Sequence, residues 1–450
     1  MQRDDIRNLL VQNEEILNNL PRELLLHRNE FKNVLAGANE TGSRRIFATG
    51  HQIEFFHPGI LFKETEAARL AREWGGIAIT FVLDNDPASI RLDYPLFEIS
   101  PQKTLFEKKS IHLGNCFFKI DSLNIEEIKS ELLKVLSSIK NKSSHYQHEI
   151  IPHLNNSINI IIRNISSAKN LTELITESRI ENLQQTGSKI HSVYISDLIH
   201  MKAWKFFTEL IIDDIKHFRL IYNNSVANYR KLHKIKNHAQ PVPDLKEDEF
   251  PFWTYYPETS KRTKSTSENI TSGILLPRAI TLSLFFRIFA CDLFIHGAGG
   301  GKYDEVTSTI LADFFHIPHT GFLIRTATLK PDFADNDYFN HLGSLPDPDI
   351  IKNNIRFYNY HPEKLVSPAE KLFLERIALI NEKKSATTNL KLLHQKLEAN
   401  RAKLVDLIHH QVAIEEAIYH EAESNKSQIN LLNDRTLPYF FYNWNNFSLS

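Results

Sequence analysis

Two short polar stretches carry residues whose types and spacing could do chemistry. The first is Gly50-His51-Gln52, which closes a β-prone run, followed by His57 and Lys63. The second is Asp84-Asn85-Asp86, which follows the apolar run Ile77 to Leu83. A histidine beside carboxylates is the ordinary equipment for general acid/base work, which makes His51, Asp84 and Asp86 the candidate catalytic residues. Gly50, Gln52, His57, Lys63 and Asn85 are candidates to hold a polar substrate group. His51, His57, Asp84 and Asp86 together also have the donor types of a divalent-metal site. No two of them stand four apart on a helix, so such a site depends on tertiary convergence. The structural alternative for either loop alone is a tight turn and a solvated acidic cap.

A third stretch, His296-Gly297-Ala298-Gly299-Gly300-Gly301-Lys302-Tyr303-Asp304-Glu305, resembles two phosphate motifs and matches neither. A P-loop needs four residues between its glycines and Ser or Thr after its lysine, whereas three separate Gly297 from Gly301 and Tyr303 follows Lys302. The physics behind those motifs still applies. Side-chain-free N–H groups opening a helix make an anion-binding concavity. The candidate anion or substrate ligands here are His296, Gly297, Gly299, Gly300, Gly301, Lys302, Tyr303 and Glu305. Acids in a helix's first turn are equally at home as caps. The loop admits ATP or ADP, but no complete motif demands a nucleotide, and a resident metal is not expected.

The elements that must position these loops read clearly. Arg45 to Thr49 is a strand, Ile60 to Ala71 has helical periodicity, Gly75-Gly76 stops it, and Ile77 to Leu83 is a strand apolar on both faces. This βαβ order makes the strands parallel and brings the loops after them to one sheet edge. Ile274 to Leu329 repeats the theme: an apolar helical run to Ala290, a strand over 292–296, the glycine loop, a helix and a strand candidate over 322–329. The spatial expectation is that residues near 50, 85 and 300 share one pocket.

The remainder reads as helix. Residues 1–40 are polar and helical, 155–218 are helix upon helix, and 250–256 form an aromatic segment suited to packing or to a substrate wall. Leu390, Leu393, Leu397, Leu404, Leu407, Ile414 and Ile418 suggest a long antiparallel hairpin or coiled coil, pairing within the chain or between subunits. Pro438 to Trp444 is too aromatic to be free. The expected fold is α/β: a Rossmann-like parallel sheet with an α-helical insertion and a C-terminal coiled-coil hairpin. The expected boundaries are 1–120 and 236–345 for the two parts of the core, 121–235 for the insertion and 346–450 for the hairpin and docked tail.

Composition narrows the function classes. With 53 basic and 54 acidic residues among 450, no global field favours nucleic acid or a membrane surface. Only Cys116 and Cys291 are present, which excludes a disulfide framework and argues for a reducing, cytoplasmic setting. No signal-like start or spanning apolar run is seen. The expected partner is a small-molecule substrate.

Taken together, Thr49-Gly50-His51-Gln52, Pro58, Lys63 and Asp84-Asn85-Asp86, with Leu276-Pro277-Arg278 and Gly299 to Glu305, resemble the BshC family, the cysteine-adding enzymes of bacillithiol biosynthesis. The resemblance covers about residues 44–90 and 274–330. His51 stands where the family has glutamine, and a Glu-Asp-His element of its acidic loop is missing, departures that bear on substrate more than on fold. The resemblance implies a ligase-like enzyme that condenses a small amine- or thiol-bearing metabolite such as cysteine with a carboxylate-bearing acceptor. It also implies a homodimer formed through the C-terminal helices. The alternatives are a metal-dependent hydrolase using His51, His57, Asp84 and Asp86, and a non-catalytic nucleotide- or metabolite-binding protein whose coiled coil recruits partners.

Overall fold

The computed structural model of the chain describes residues 3–37, 44–100, 103–118, 124–142, 150–329, 337–385 and 388–442. These form two compact units: residues 1–95, 109–329 and 435–450, and residues 96–108 and 330–434.

The first unit is built on the anticipated parallel pair. Strand β1 (Arg45–Gln52) runs beside β2 (Gly76–Leu83) in continuous register from Arg45↔Gly76 to Gln52↔Leu83. The helix Pro58–Trp74 joins them. His57 caps its start, with Nδ1 accepting the Gly59 N–H at 2.9 Å, and Pro58 fits the first turn because no N–H is needed there. Gly75 ends it at φ 69°, a left-handed conformation that a side chain would strain. Strands β3 (Ala88–Ser100) and β4 (Lys103–Cys116) pair with each other.

Strand β5 (His191–Tyr194) corrects the all-helical reading of residues 155–218. It pairs parallel with β2 through Ile79↔His191 to Val82↔Tyr194, between the helices Leu171–Gln185 and Lys202–Asp213. Four residues are too few for a two-residue alternation to stand out between helical stripes. Strands β6 (Glu249–Tyr256), β7 (Lys261–Thr266) and β8 (Ile274–Pro277) make an antiparallel sheet in the order β7-β6-β8. Strands β9 (Leu293–His296) and β10 (Leu323–Ile324) complete the main sheet, whose order is β10-β9-β1-β2-β5 with every pair parallel. The fold of this unit is therefore α/β and Rossmann-like. The strand expected over 322–329 shrinks to β10, its two paired residues.

Aromatic packing fills the space beside the sheet. Phe81 stacks on Phe286 at 4.1 Å between centroids, and Phe207 meets Phe285 and Phe289 at 5.6 and 6.0 Å. Each fully buried side chain of this size stabilises the fold by about 1.5–3 kcal/mol. The apolar run after Arg278 is α-helical over Ala279–Phe285 and widens into a π turn over Phe286–Ala290. Asp292, just before β9, is a buried anchor. It accepts from Arg28 at 2.6 Å, Lys32 at 2.8 Å and the Ile46 N–H at 2.7 Å, tying the helix Arg22–Ala36 to β1. Burial alone would raise its carboxyl, but Arg28 and Lys32 hold it below the usual range. The aromatic tail docks in this unit: Tyr439 N–H donates to the Phe56 carbonyl at 2.9 Å, and Tyr439 to Tyr442 are buried. Asn443 and Trp444 lie outside the described residues.

In the second unit, the 35-residue helix Leu390–Ser424 packs on Pro348–Tyr360 and Lys371–Ser385. The expected heptad seam needs correction. Leu393, Leu397, Leu404, Ile408 and Val412 are buried, whereas Leu390, Leu407 and Ile414 are exposed. Beyond Leu404 the buried stripe advances by fours, through Ile408 and Val412, where a heptad seam would alternate fours and threes. Besides residues 96–108 this unit comprises Lys330–Asp434, and the segment from Arg435 belongs to the first unit. The helices between 121 and 235 are likewise part of the first unit. No helix among the described residues is long and apolar enough to cross a membrane.

Candidate active site

From β1 the chain builds the sheet outward through β2 and β5, then returns to β1's other edge to add β9 and β10. The direction therefore reverses between β1 and β9, and at such a switch point the following connections diverge and leave a crevice. A cavity of about 730 Å³ opens there.

Residues from all three polar stretches line it. Gly50, His51 and Gln52 come from the end of β1, Lys63 from the helix behind it, and Asn85 and Asp86 from the loop after β2. His296 comes from the end of β9, with Gly297, Gly299 and Gly300 following. Positions near 50, 85 and 300 thus share one cavity within the first unit.

The glycine stretch differs in form from the expected open loop. The helix begins at Ala298, four residues before Lys302, with Gly297 as its extended N-cap. Gly301 N–H donates to the Gly297 carbonyl at 3.1 Å and closes the first turn. The N–H groups of Ala298, Gly299 and Gly300 are left without helical acceptors, at the electropositive end of a 16-residue helix. Gly301 instead lies beneath Ile324, where a Cβ would come within 2.5 Å of its side chain. Lys302 is exposed and is not a lining residue. Glu305 is also outside the cavity and pairs with His233 at 2.9 Å. The Tyr303 side chain lies outside those described.

Lys63 supplies the cation that Lys302 does not. It is 5% exposed, and its Nζ donates to the Gly50 carbonyl at 3.0 Å. Burial pushes its ammonium down to about 8, with Glu64 opposing and Arg179 assisting. Asn85 Nδ2 donates to the Pro277 carbonyl at 3.3 Å, which fixes the amide; its buried Oδ1 has no hydrogen-bond partner among the described residues.

Two expected participants lie elsewhere, and a third is altered by its surroundings. His57 is a helix cap whose Nε2 lies 3.3 Å from the Leu329 carbonyl, and it does not line the cavity. Asp84 is buried, accepts the Ser196 N–H at 2.9 Å and is likewise not a lining residue. His51 does line it, but burial, with Lys63 adding, pushes its imidazole down to about 3, so the ring stays neutral and is a weak base. Among the described residues no group of three or more His, Cys, Asp or Glu is disposed to hold a metal ion. The four-residue metal set therefore does not assemble, because His57 and Asp84 serve the backbone.

The sequence reading offered the aromatic segment 250–256 as a substrate wall but missed the cations that stand on it. Trp253 of β6 carries two guanidinium groups, Arg262 at 4.8 Å and Arg278 at 5.1 Å from its ring centroid. Arg262 is held by Asp86 at 2.5 Å, and Arg278 by Glu249 at 2.5 Å. Glu249 lies below the ordinary carboxylate range, since the Arg278 hydrogen bond overcomes the upward push of burial. Lys264 and Arg435 add further cations to the lining. The alternation Arg262-x-Lys264 on a strand was the available signal, because residues two apart on a strand share a face. Behind His296 is a buried pair: Nε2 lies 3.3 Å from Asp304 Oδ2, and Arg287 Nη1 lies 3.0 Å from the same oxygen. Cations thus outnumber anions around a partly apolar chamber, a setting for a small anionic ligand.

No family model and no curated sequence matches the chain. Among solved structures it is similar to a tryptophanyl-tRNA synthetase of Plasmodium falciparum, at 10% identity and a TM-score of 0.23, covering 98% of this chain and 99% of that one. A parasite tRNA synthetase in a product-bound structure is similar at 10% identity and a TM-score of 0.26, covering 99% of this chain and 96% of that one. Likenesses at these scores carry no argument about fold or function.

Proposed function

We propose that the first unit is a BshC-like enzyme that joins a small amine- or thiol-bearing metabolite, such as cysteine, to an acceptor carrying a carboxylate or phosphate. The observation that carries this reading is the convergence of Lys63 with the free N–H groups of Ala298 to Gly300 in the switch-point cavity. That pairing suits the anionic group of an acceptor. Asn85 Oδ1, fixed and lacking a donor, suits an amine or hydroxyl. With the carboxyl group to be joined entering as an acyl phosphate, the nucleophile gives up its proton to a protein base, its lone pair bonds to the acyl carbon, and the C–O bond breaks so that inorganic phosphate leaves with its electrons. ADP and ATP are further ligands to test, because the helix start can receive a phosphate even though Lys302 does not face it in the manner of a P-loop lysine.

Thermal-shift measurements with cysteine, sugar phosphates, malate, ADP and ATP test the binding. Mass spectrometry of mixtures tests turnover. Stabilisation by an anionic ligand together with a joined product supports the proposal. Stabilisation without any product favours a binding protein, and no stabilisation by any anion removes the reading.

A further inference from the structure

The proposed reaction needs a proton acceptor, and two histidines line the cavity in different surroundings. His51 Nδ1 lies 3.5 Å from Glu54 Oε1, yet burial first, then Lys63 and Arg179, disfavour its protonation. His296 has a carboxylate behind it. Asp304 is 0% exposed and sits on the second turn of the helix Ala298–Asp313, so the acid expected in the first turn is not there. Its Oδ2 lies 3.3 Å from His296 Nε2, an ion-pair distance without the alignment of a good hydrogen bond. Such contacts in unliganded sites commonly tighten on ligand binding.

Asp304 is itself held. Arg287, from the π turn, contacts Oδ2 at 3.0 Å and also donates to Ser308 Oγ at 2.8 Å, Thr320 Oγ1 at 3.2 Å and the Thr320 carbonyl. Burial would raise the Asp304 carboxyl, but His296 and Arg287 overcome it and keep it below the ordinary range, hence ionised. Phe294 and Phe322 bracket the imidazole, with centroids 4.5 and 5.2 Å away. A glycine at 300 then acquires a specific reason: a Cβ there would stand 2.9 Å from His296 Nδ1. Gly299, one residue earlier, has open space where its Cβ would be.

Resting on the proposed function, we infer that His296 is the general base of this cavity, with Asp304 and Arg287 as its positioning residues. Asp304 holds the imidazole with hydrogen on Nε2, leaving the Nδ1 lone pair beside the anion seat. One proton passes from the ligand's thiol, ammonium or hydroxyl to Nδ1, and the carboxylate of Asp304 balances the imidazolium so formed. Gly300 keeps Nδ1 uncovered.

Long-range 1H–15N spectra of the full chain labelled with 15N-histidine test this, with the His296 signals identified by their loss in His296→Gln. The expected spectrum shows His296 with hydrogen on Nε2, and its Nδ1 signal shifts when inorganic phosphate is added. Asp304→Asn, which removes the carboxylate that orients the ring, should shift hydrogen from Nε2 towards Nδ1. Gly300→Ala, which leaves the buried pair intact, should abolish the phosphate-induced shift of Nδ1. A wild-type imidazole with hydrogen on Nδ1 overturns the inference without any variant. So does an unchanged phosphate shift in Gly300→Ala, or an unchanged tautomer in folded Asp304→Asn. Phosphate stabilisation measured in parallel separates the two ideas: if it persists while His296 is indifferent, this inference fails and the binding reading stands. If wild type shows neither stabilisation nor a shift, both fail.

Discussion

Lys63 Nζ lies 3.0 Å from the Gly50 carbonyl oxygen, so a buried ammonium is steadied by the strand end that it helps to shape. One neutral acceptor is poor compensation for a desolvated charge, and the depressed Lys63 pKa of about 8 reflects it. Because the folded value is below that of the unfolded chain, the charge opposes folding at pH 7, and that cost fades as pH rises from about 8 towards 10.5. Lys63→Met should therefore raise stability in urea at pH 7 by about 1–3 kcal/mol. The same variant should lose phosphate-induced stabilisation. Unchanged stability together with retained phosphate binding would refute the anion seat.

The same lysine sets a pH dependence for binding. A bound anion favours the charged ammonium, so binding takes up a proton once Lys63 has begun to lose its own. Phosphate affinity measured by calorimetry should fall as pH rises past about 8. A flat profile between pH 7 and 9.5 would contradict this.

His51 makes the fold sensitive to acid. Its folded value, about 3, lies below the ordinary 6.5, so the unfolded chain binds the extra proton across that window. Stability conferred by the neutral ring is complete above pH 6.5 and declines as pH falls towards 3. At pH 4.5 the loss should be on the order of 2–3 kcal/mol. His51→Asn should remove it, seen as a smaller difference between urea midpoints at pH 7 and 4.5 than in wild type.

Asp292 tests the anchor of the first unit. Asp292→Asn leaves Arg28 and Lys32 as buried cations without their counter-ion, and it should cost about 3–5 kcal/mol by denaturant unfolding. Replacing Asp292, Arg28 and Lys32 together with apolar residues should cost less than the single change, because no buried charge is then stranded.

In the second unit, Leu404 is 0% exposed and Leu407 is 49% exposed, although both fall on the sequence's heptad pattern. Leu404→Ala should destabilise by about 2–5 kcal/mol. Leu407→Ala should stay within about 0.5 kcal/mol, as surface changes usually do. Equal effects would restore the heptad seam.

Much of the fold was legible because its signals are local. The run Ile77 to Leu83 marks a strand covered on both faces, Gly75 marks a helix end, and the βαβ order fixes parallel pairing. Strand β5 escaped notice because its four residues gain their order from β2 rather than from a pattern of their own. The heptad reading failed past Leu404 for a related reason: a list of leucines does not say which face of a straight helix meets its neighbours.

The sequence by itself determined the parallel core, the cluster of polar loops at the strands' carboxyl ends and the burial of the aromatic tail, since backbone periodicity and crossover geometry leave few options. Only the tertiary structure decided which polar groups face the cavity. His57 and Asp84 were claimed by backbone N–H groups that would otherwise be buried unpaired. Trp253, Arg262 and Arg278 were brought in from a separate sheet. His51 and His296 are the same residue type, and folding gives them different surroundings: His51 is buried with Lys63 and Glu54 near it, whereas His296 backs onto Asp304, itself held by Arg287.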